Sequence, residues 1–177
     1  LEAECLLSSS FLSYFGPFDQ NFRRKMYKAF YEDLIEKQFQ MTENFRVENL
    51  LTSEVQIAQW NSEGLPNDEL SVQNGILTTK ASRYPYCIDP QEQAVRWIKN
   101  REKKMNPREF IESSINNKNL TMQLEQCFKN GFSLLLENVT EELDALLDPI
   151  LLKEYVLENS MLKVMIGDKA IDVTNTE

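Results

Sequence analysis

Apolar residues recur at helical spacing near the start of the chain. A first helix is predicted to end at Gly16-Pro17, with one apolar face formed by Leu6, Leu7, Phe11 and Tyr14. Asp19 can cap a second helix that runs to about Gln38. Its apolar side chains recur every four residues: Phe22, Met26, Phe30 and Leu34. Charged residues such as Arg23 and Arg24 fill the other positions, so this helix is predicted to pack one face on a core.

The next segment holds one ambiguous pattern. Ser53 can cap a short helix that ends near Trp60 and Gly64, and residues 65–68 have turn composition. Asn74-Gly75 alone is a hairpin signal. Ser71 offers a helix cap, however, and the apolar residues after it have helical spacing, so we expect a short helix here.

Strand and helix patterns alternate through the second half. The first predicted elements are a strand at Tyr84–Ile88, a helix from Gln91 to about Lys103 with Pro90 in its first turn, and a strand at Arg108–Glu112. A helix capped by Asn119 and closed by Gly131 follows, and then a strand at Phe132–Glu137. The last elements are a helix from Thr140 to Leu147, a helix from Asp148-Pro149 to about Tyr155, and two apolar runs around a hairpin turn at Gly167-Asp168. Alternation of this kind predicts parallel strands joined by right-handed crossovers.

Ligands of such sheets bind at the carboxyl ends of the strands. This rule predicts that Ile88–Gln91 and Glu137-Asn138 share one rim of the sheet. The layout of strand, tight turn and helix, followed by a strand with an acidic end, is that of a phosphate-binding NTPase core.

Composition narrows the functions that the chain can have. With 177 residues, 42% hydrophobic and 27% charged, it fits one soluble domain. The net charge of −9 disfavours nucleic acid as a partner. No apolar run approaches the roughly 18 residues that cross a bilayer. The chain has no initiator Met and no signal-peptide pattern, so we expect a piece of a longer protein.

The chemistry of the side chains is limited as well. The chain contains no histidine, which excludes a Ser-His-Asp triad, a Cys-His pair and a His-ligated metal site within it. Its cysteines, Cys5, Cys87 and Cys127, are odd in number and lack zinc-site spacing, which fits a reducing compartment.

The turn before the second-half helix lacks what a phosphate loop needs. Such a loop uses glycines for close approach, a Gly-Lys pair and a hydroxyl for magnesium. Here the sequence is Asp89-Pro90-Gln91-Glu92-Gln93. Pro90 has no N–H to offer, and Asp89 and Glu92 repel phosphate. We therefore predict that Asp89 caps the helix.

The acidic strand end is altered in the same way. NTPases of this class place an Asp on the magnesium ion and a Glu beside it to activate water. Glu137 and Asn138 stand at these two places, and an amide cannot take a proton from water at neutral pH. Glu141 and Glu142 fit the first turn of a helix better.

A basic run follows the altered turn: Arg96, Lys99, Arg101, Lys103 and Lys104. It can hold a phosphate or face an acidic neighbour. A solvated helix end that balances the helix dipole is the favoured interpretation.

Several longer strings resemble dynein heavy chains. The segment Leu6–Phe18 resembles the one that follows the returning stalk helix. The fifth AAA+ module of the motor ring is similar in three further segments, Trp60–Asp68, Ser71–Ile76 and Arg83–Lys99, and again around Leu134–Asp144 and Ile166–Asp168. Within these segments, the string from Ile88 to Ala94 is very specific to the family. The Gly64-Leu65-Pro66 and Trp97-Ile98-Lys99 variants look more like axonemal than cytoplasmic dyneins.

The resemblance implies a fold and a role. It implies a three-layer α/β/α, P-loop NTPase-like AAA+ large subdomain with a degenerate nucleotide site and a C-terminal β-hairpin. Residues 1–177 would be one such subdomain, with 1–18 leading from the stalk, 19–80 helical, and 81–177 the α/β core and hairpin. The module would relay ring motion to the stalk and would itself be no enzyme, with no cofactor and no metal, while ATP and Mg²⁺ bind in other modules.

The same resemblance implies partners and a location. These are neighbouring AAA+ modules, the stalk coiled coil, and, for the parent protein, microtubules and the dynein light and intermediate chains, in the cytoplasm, cytoskeleton and ciliary axoneme. Neither nucleic acid nor a membrane is an expected partner. The family pattern also has a further strand after Glu177, without which this sheet would expose unpaired edges.

Two alternatives remain open from the residues. One is a nucleotide-binding or nucleotide-hydrolysing module in which Glu141 or Glu142 is the base. The other is an acidic partner-binding domain unrelated to motors. Arg83 and Arg96 are candidates for an arginine lent to a neighbouring nucleotide site.

Overall fold

Helices fill the first part of the chain, and strands appear only after them. The computed structural model describes residues 1–105, 107–139, 145–158 and 161–173. The chain is mixed α/β and divides into two units, Leu1–Asn100 and Arg101–Glu177. The assignment of residues 1–177 to a single subdomain stays a prediction.

The elements of the first unit are α1 (Glu2–Tyr14), α2 (Gln20–Glu36), α3 (Val47–Leu51), α4 (Glu54–Ser62), α5 (Glu69–Lys80) and the start of α6 (Gln93–Met105). Those of the second unit are β1 (Phe110–Ser114), α7 (Leu120–Asn130), β2 (Ser133–Glu137), a 3-10 turn at Ala145–Leu147, α8 (Asp148–Leu151), β3 (Tyr155–Glu158), β4 (Met161–Ile166) and β5 (Lys169–Val173).

The apolar stripe of α1 differs from the predicted one. The buried side chains are Ala3, Leu7, Phe11 and, just past the helix, Phe15. Leu6 and Tyr14 are exposed, contrary to prediction. A spacing of four residues keeps the buried set on one line along the helix, and Leu6 and Tyr14 lie to one side of that line.

Helix α2 is also rotated from the predicted orientation. Asp19 caps it as predicted, since its Oδ1 accepts the Phe22 N–H at 2.8 Å. Leu34 is buried, but Phe22 and Phe30 are largely exposed and Arg23, expected in water, is only 3% exposed. The buried face is shifted because the Arg23 side chain finds hydrogen-bond acceptors inside the unit.

Trp60 of α4 packs against Gly75 of α5 and Trp97 of α6. Ser53 caps α4 as predicted, and α5 is the expected helix, although Asp68 rather than Ser71 is its cap. Trp60 and Trp97 pack edge to face with ring centroids 5.8 Å apart. Gly75 is a packing residue here, because a Cβ would lie 3.0 Å from Leu65 and 3.1 Å from Trp60.

The second unit contains a parallel pair of strands. β1 and β2 pair from Phe110↔Ser133 to Ser114↔Glu137 and are connected through α7. Gly131 ends α7 in the left-handed conformation, φ 71°, as its position predicts. Asn119 occupies the N-cap position of α7 as predicted, but its side chain makes no capping bond, and its N–H is donated to Asn117 Oδ1 at 3.0 Å.

A second sheet has the order β3-β4-β5, antiparallel throughout. Ile166 pairs with Lys169, which leaves Gly167-Asp168 as the turn. The helix predicted to reach Tyr155 stops at Leu151, because Lys153 adopts the left-handed region, φ 54°, and the apolar residues after it pair as β3. The first part of the helix predicted from Thr140 to Leu147, residues 140–144, lies outside the described residues. Its last part, Ala145–Leu147, forms a 3-10 turn.

The predicted strand at Tyr84–Ile88 is wrong. Within the described ranges, the paired strands are only β1 with β2, β3 with β4, and β4 with β5. Residues 84–88 are irregular, and Ile88 is 87% exposed. A strand needs a paired neighbour, and Pro85 has no N–H to donate. The three-layer α/β/α sheet is therefore not formed in the described structure, whose parallel sheet has two strands.

Each unit has its own core. That of the first unit consists of Ala3, Leu7, Phe11, Phe15, Leu34, Val47, Trp60, Leu65, Val72, Ile76 and Trp97. That of the second consists of Leu120, Leu124, Leu147, Ile150, Val164, Ile166, Ile171 and Val173. None of the described helices combines the length and apolar character that a bilayer-spanning segment requires.

Gly75→Ala is expected to destabilise the chain by about 1 kcal/mol. Alanine favours a helix by about 1 kcal/mol, but the buried side chains of Trp60 and Leu65 would have to shift to admit a Cβ, and overpacking costs about 1–3 kcal/mol. Urea unfolding measures the difference, with Thr78→Ala in the same helix as the control. A stabilised Gly75→Ala chain would show that the two side chains give way.

Glu4 is expected to make stability depend on acid pH. It is 9% exposed and accepts the Thr42 N–H at 3.2 Å as well as the Thr42 hydroxyl, and this hydroxyl hydrogen bond holds the pKa of Glu4 below its ordinary 4.5. A lowered folded pKa stabilises the fold above the unfolded pKa, and this stabilisation is lost as pH falls through the folded pKa.

The comparison is between the chain and Thr42→Val. The difference in Tm between the two should be largest near neutral pH and should shrink below the ordinary pKa of Glu4, where the carboxylate becomes protonated. A difference that is constant from pH 7 to pH 3 contradicts the assignment.

Candidate functional site

Helix α6 begins at the turn that the sequence singles out. Asp89 Oδ1 accepts the Gln93 N–H at 2.9 Å, and Asp89 Oδ2 accepts the Val95 N–H at 3.0 Å. The Asp89 carbonyl also accepts the Glu92 N–H at 3.2 Å. The predicted capping by Asp89 is therefore confirmed, with both carboxylate oxygens in use.

Two other residues of the turn, Gln91 and Gln93, are hydrogen-bonded to each other through their side chains. Pro90 and Gln91 precede α6 rather than form its first turn, because Glu92 adopts the left-handed region, φ 56°, and interrupts the helical path. The Gln93 side chain donates to Gln91 Oε1 at 3.0 Å. The amide groups at the phosphate-loop positions thus bond each other.

At this turn Asp89 occupies two of the N–H groups that a nucleotide phosphate would need. A phosphate is held by free N–H groups at a helix start, helped by the helix dipole and by a Lys. At α6, the N–H groups of Gln93 and Val95 are taken by a carboxylate that itself repels a phosphate. A phosphate could bind only if Asp89 moved away.

The acidic strand end lies in the second unit. Glu137 is the last residue of β2, where it pairs with Ser114, and its side chain is half-buried. Asn138 follows in the left-handed region, φ 55°, and is exposed. Glu141 and Glu142 lie outside the described residues. Within the described ranges, no cluster of three or more acidic or Cys side chains is placed to hold a metal ion.

The two groups of predicted site residues belong to different units. Asp89, Gln91 and Gln93 come together around one turn of the first unit, whereas Glu137 and Asn138 end a strand of the second. That they share one rim stays a prediction, and so do the degenerate phosphate-loop and magnesium positions assigned to them.

The basic run lies along α6. Arg96 is exposed, and Lys103 and Lys104 fall in the last turn, where positive charge is favourable. Lys103 pairs with Glu112 at 2.7 Å. These contacts agree with the solvated helix end that the pattern favours. Arg83 is exposed as well, and the role of Arg83 or Arg96 at a neighbouring nucleotide site stays a prediction.

The most connected polar group of the first unit was missed from sequence. Arg23 donates to the carbonyls of Phe15 and Gly16, each at 3.0 Å, and to the side chains of Asn74 at 2.7 Å and Gln73 at 3.4 Å. Gln73 in turn donates to Glu48 Oε1 at 2.9 Å. Burial lowers the pKa of Arg23, although an arginine remains charged in proteins. No spacing rule marks such a residue, because its acceptors come from other helices.

A cleft beside this network has a volume of about 140 Å³. Small-molecule sites span roughly 300–1,000 Å³. Its arginines Arg24 and Arg46 are both engaged with Glu69. The cleft is therefore smaller than a usual small-molecule site, and Arg24 and Arg46 on its lining are paired with Glu69.

Comparison with known proteins identifies the class of this chain. Residues 58–176 match the family model described as the ATP-binding dynein motor region. The chain is 44% identical over 173 residues to dynein axonemal heavy chain 10 of Homo sapiens, a match that covers 97% of the chain and 4% of the relative.

Two algal relatives agree. The dynein-1-alpha heavy chain of the flagellar inner arm I1 complex of Chlamydomonas reinhardtii is 46% identical over 173 residues, 97% of the chain and 4% of that protein. The dynein gamma chain of the flagellar outer arm of the same organism is 41% identical over 177 residues, 99% of the chain and 4% of that protein. The chain thus spans only 4% of the length of these relatives.

The chain matches a motor region of the AAA+ class. It belongs to the axonemal dynein heavy chain family, within the ATP-binding dynein motor region.

This membership overturns one prediction. The prediction that the chain is no enzyme is wrong, because the chain belongs to the family described as the ATP-binding dynein motor region. The lack of a glycine-rich loop at residues 89–93 does not exclude a chain from that family.

Asp89→Ala is expected to destabilise the chain by about 1–2 kcal/mol, since it removes a cap that serves two N–H groups of α6. Gln91→Ala, two residues away and exposed, is the matched control and should cost less than about 0.5 kcal/mol. Both are measured by urea unfolding. Equal effects of the two changes would mean that the cap contributes nothing.

Proposed function

We propose that this chain is the large part of the fifth AAA+ module in the motor ring of an axonemal dynein heavy chain. Its role is mechanical: it relays conformational change of the ring to the stalk. The strings around Trp60–Asp68 and Ile88–Ala94, which resemble that module, support the choice of the fifth position.

The observation that carries this proposal is the state of the α6 start. Both oxygens of Asp89 occupy the N–H groups that a triphosphate would need. A helix start closed in this way keeps one conformation, whereas a phosphate-binding loop changes its contacts when nucleotide binds and leaves. A module of constant shape is suited to transmit motion produced elsewhere.

The packing of α1 supports the direction of this relay. The resemblance makes α1 the segment that follows the returning stalk helix. Its residues Ala3, Leu7 and Phe11 are each at most 1% exposed. A helix so deeply packed moves with the body that surrounds it, because protein interiors are close-packed.

The proposed partners and location follow from the same assignment. The chain would contact neighbouring AAA+ modules and the stalk coiled coil, and the heavy chain would bind microtubules and dynein light and intermediate chains in the ciliary axoneme and cytoskeleton. ATP and Mg²⁺ would be held by other modules of the ring.

A flexible insertion before Leu1 tests the relay. In the full heavy chain, a Gly/Ser linker of about ten residues at this point would let α1 and the preceding segment move independently. We expect the basal ATPase rate to persist and its stimulation by microtubules to fall at least roughly fivefold, a coupling loss of about 1 kcal/mol.

The matched control places the same linker between Pro66 and Asn67, in the loop before α5, where stimulation should persist. Stimulation that survives the insertion before Leu1 excludes the relay.

Nucleotide titration tests the proposed closure of the α6 start. We expect no magnesium-dependent ATP binding below about 1 mM at residues 89–93, because Asp89 competes for the same N–H groups. Sub-millimolar binding that Asp89→Ala strengthens would show a gated phosphate site, and binding that shifts the Gln93 and Val95 amide signals of the unaltered chain would contradict the proposal.

A further inference from the structure

Arg23 is a buried cation that joins three helices. It lies on α2 and is 3% exposed. Its Nε donates to the Phe15 carbonyl, and its Nη2 donates to the Gly16 carbonyl, both just beyond the last turn of α1. The same Nη2 donates to Asn74, and Nη1 donates to Gln73, both on α5. One planar group thus bonds the end of α1 and the middle of α5.

The acceptors on α1 suit a positive charge. The carbonyls that follow a helix end carry partial negative charge from the helix dipole. On α5 the acceptors are side-chain amide oxygens. Gln73 then passes the connection to Glu48 on α3, at 2.9 Å.

Directional bonds differ from apolar contacts in their response to sliding. The hydrophobic effect has no preferred direction, whereas a hydrogen bond weakens steeply with distance and angle. The guanidinium fork is rigid, so its bonds to α1 and α5 cannot both follow if the two helices separate. Breaking one set would leave a buried cation poorly compensated.

The far end of α1 is held in a similar way. Glu4 accepts both the N–H and the hydroxyl of Thr42. The helix is therefore fixed at both ends by buried or nearly buried charged groups, with an apolar stripe between them.

We propose that Arg23 is the residue that couples α1 to α5, so that a displacement of α1 carries α5 with it. This inference rests on the proposed relay, for which Arg23 is a positioning residue.

The test uses the full heavy chain that contains this sequence. Arg23→Met removes the whole connection, and Asn74→Ala, at an exposed position, removes the 2.7 Å bond to α5 alone. Arg24→Met is the control, because Arg24 is the next residue of α2 and also reaches α5, through an exposed ion pair with Glu69 at 2.6 Å. The readouts are basal ATPase rate, its stimulation by microtubules, and amide hydrogen exchange in α1 and α5.

We expect Arg23→Met to reduce microtubule stimulation roughly fivefold or more, with the basal rate preserved, and Asn74→Ala to reduce it roughly twofold. Amide exchange should accelerate in the last turn of α1 and around Gln73 in Arg23→Met. Arg24→Met should change neither the microtubule stimulation nor the amide exchange.

Arg23→Lys covers the case in which Arg23→Met does not fold. It keeps the charge but cannot span acceptors on both helices, so stimulation should still fall. Unchanged stimulation in Arg23→Lys and Asn74→Ala overturns the coupling if the insertion before Leu1 abolishes stimulation. If that insertion has no effect either, the relay itself fails, and the coupling with it.

Discussion

The first unit depends on satisfying one buried positive charge. Removing a cation from water costs several kcal/mol even after the protein relaxes, and this cost is recovered only with good geometry and additional hydrogen bonds. Arg23 makes four such hydrogen bonds, to two carbonyls after α1 and to two amide side chains of α5. Because its acceptors belong to separate helices, none of them can be placed without the others. The charge therefore specifies how α1, α2 and α5 meet, while the apolar core around Phe11, Phe15 and Ile76 supplies most of the favourable energy.

The start of α6 also depends on satisfying polar groups, but here the charged residue is a carboxylate that accepts hydrogen bonds. A helix start presents N–H groups that need acceptors, and in an ATP-binding region a phosphate can satisfy them. In this chain the acceptor is covalently present as Asp89. Because this carboxylate belongs to the same chain, the two N–H groups are satisfied without a ligand. Membership in an ATP-binding motor family and a carboxylate-filled helix start are compatible, because the chain spans only 4% of the length of its relatives.

Local patterns predicted local structure well and long-range partners poorly. The caps Asp19, Ser53 and Gly131 and the helices next to them were predictable, because each depends on residues a few positions apart. Asp89 as a cap was predictable for the same reason. The burial of Arg23 was not, since its acceptors lie up to 51 residues away. The strand expected at Tyr84–Ile88 failed because a short, mostly apolar segment says nothing about which strand, if any, pairs with it. At α8 the helical pattern was real, but Lys153 turned the chain and the apolar residues after it joined a sheet.

Strand β3 has a consequence for handling the chain alone. It pairs with β4 on one side and is the outer member of its sheet as far as the chain is described, and its Val156 and Leu157 are exposed. An apolar, uncovered strand border is a template for association between copies. The net charge of −9 opposes that association by mutual repulsion, and salt screens this repulsion. The solubility of the isolated chain should therefore decline as ionic strength rises.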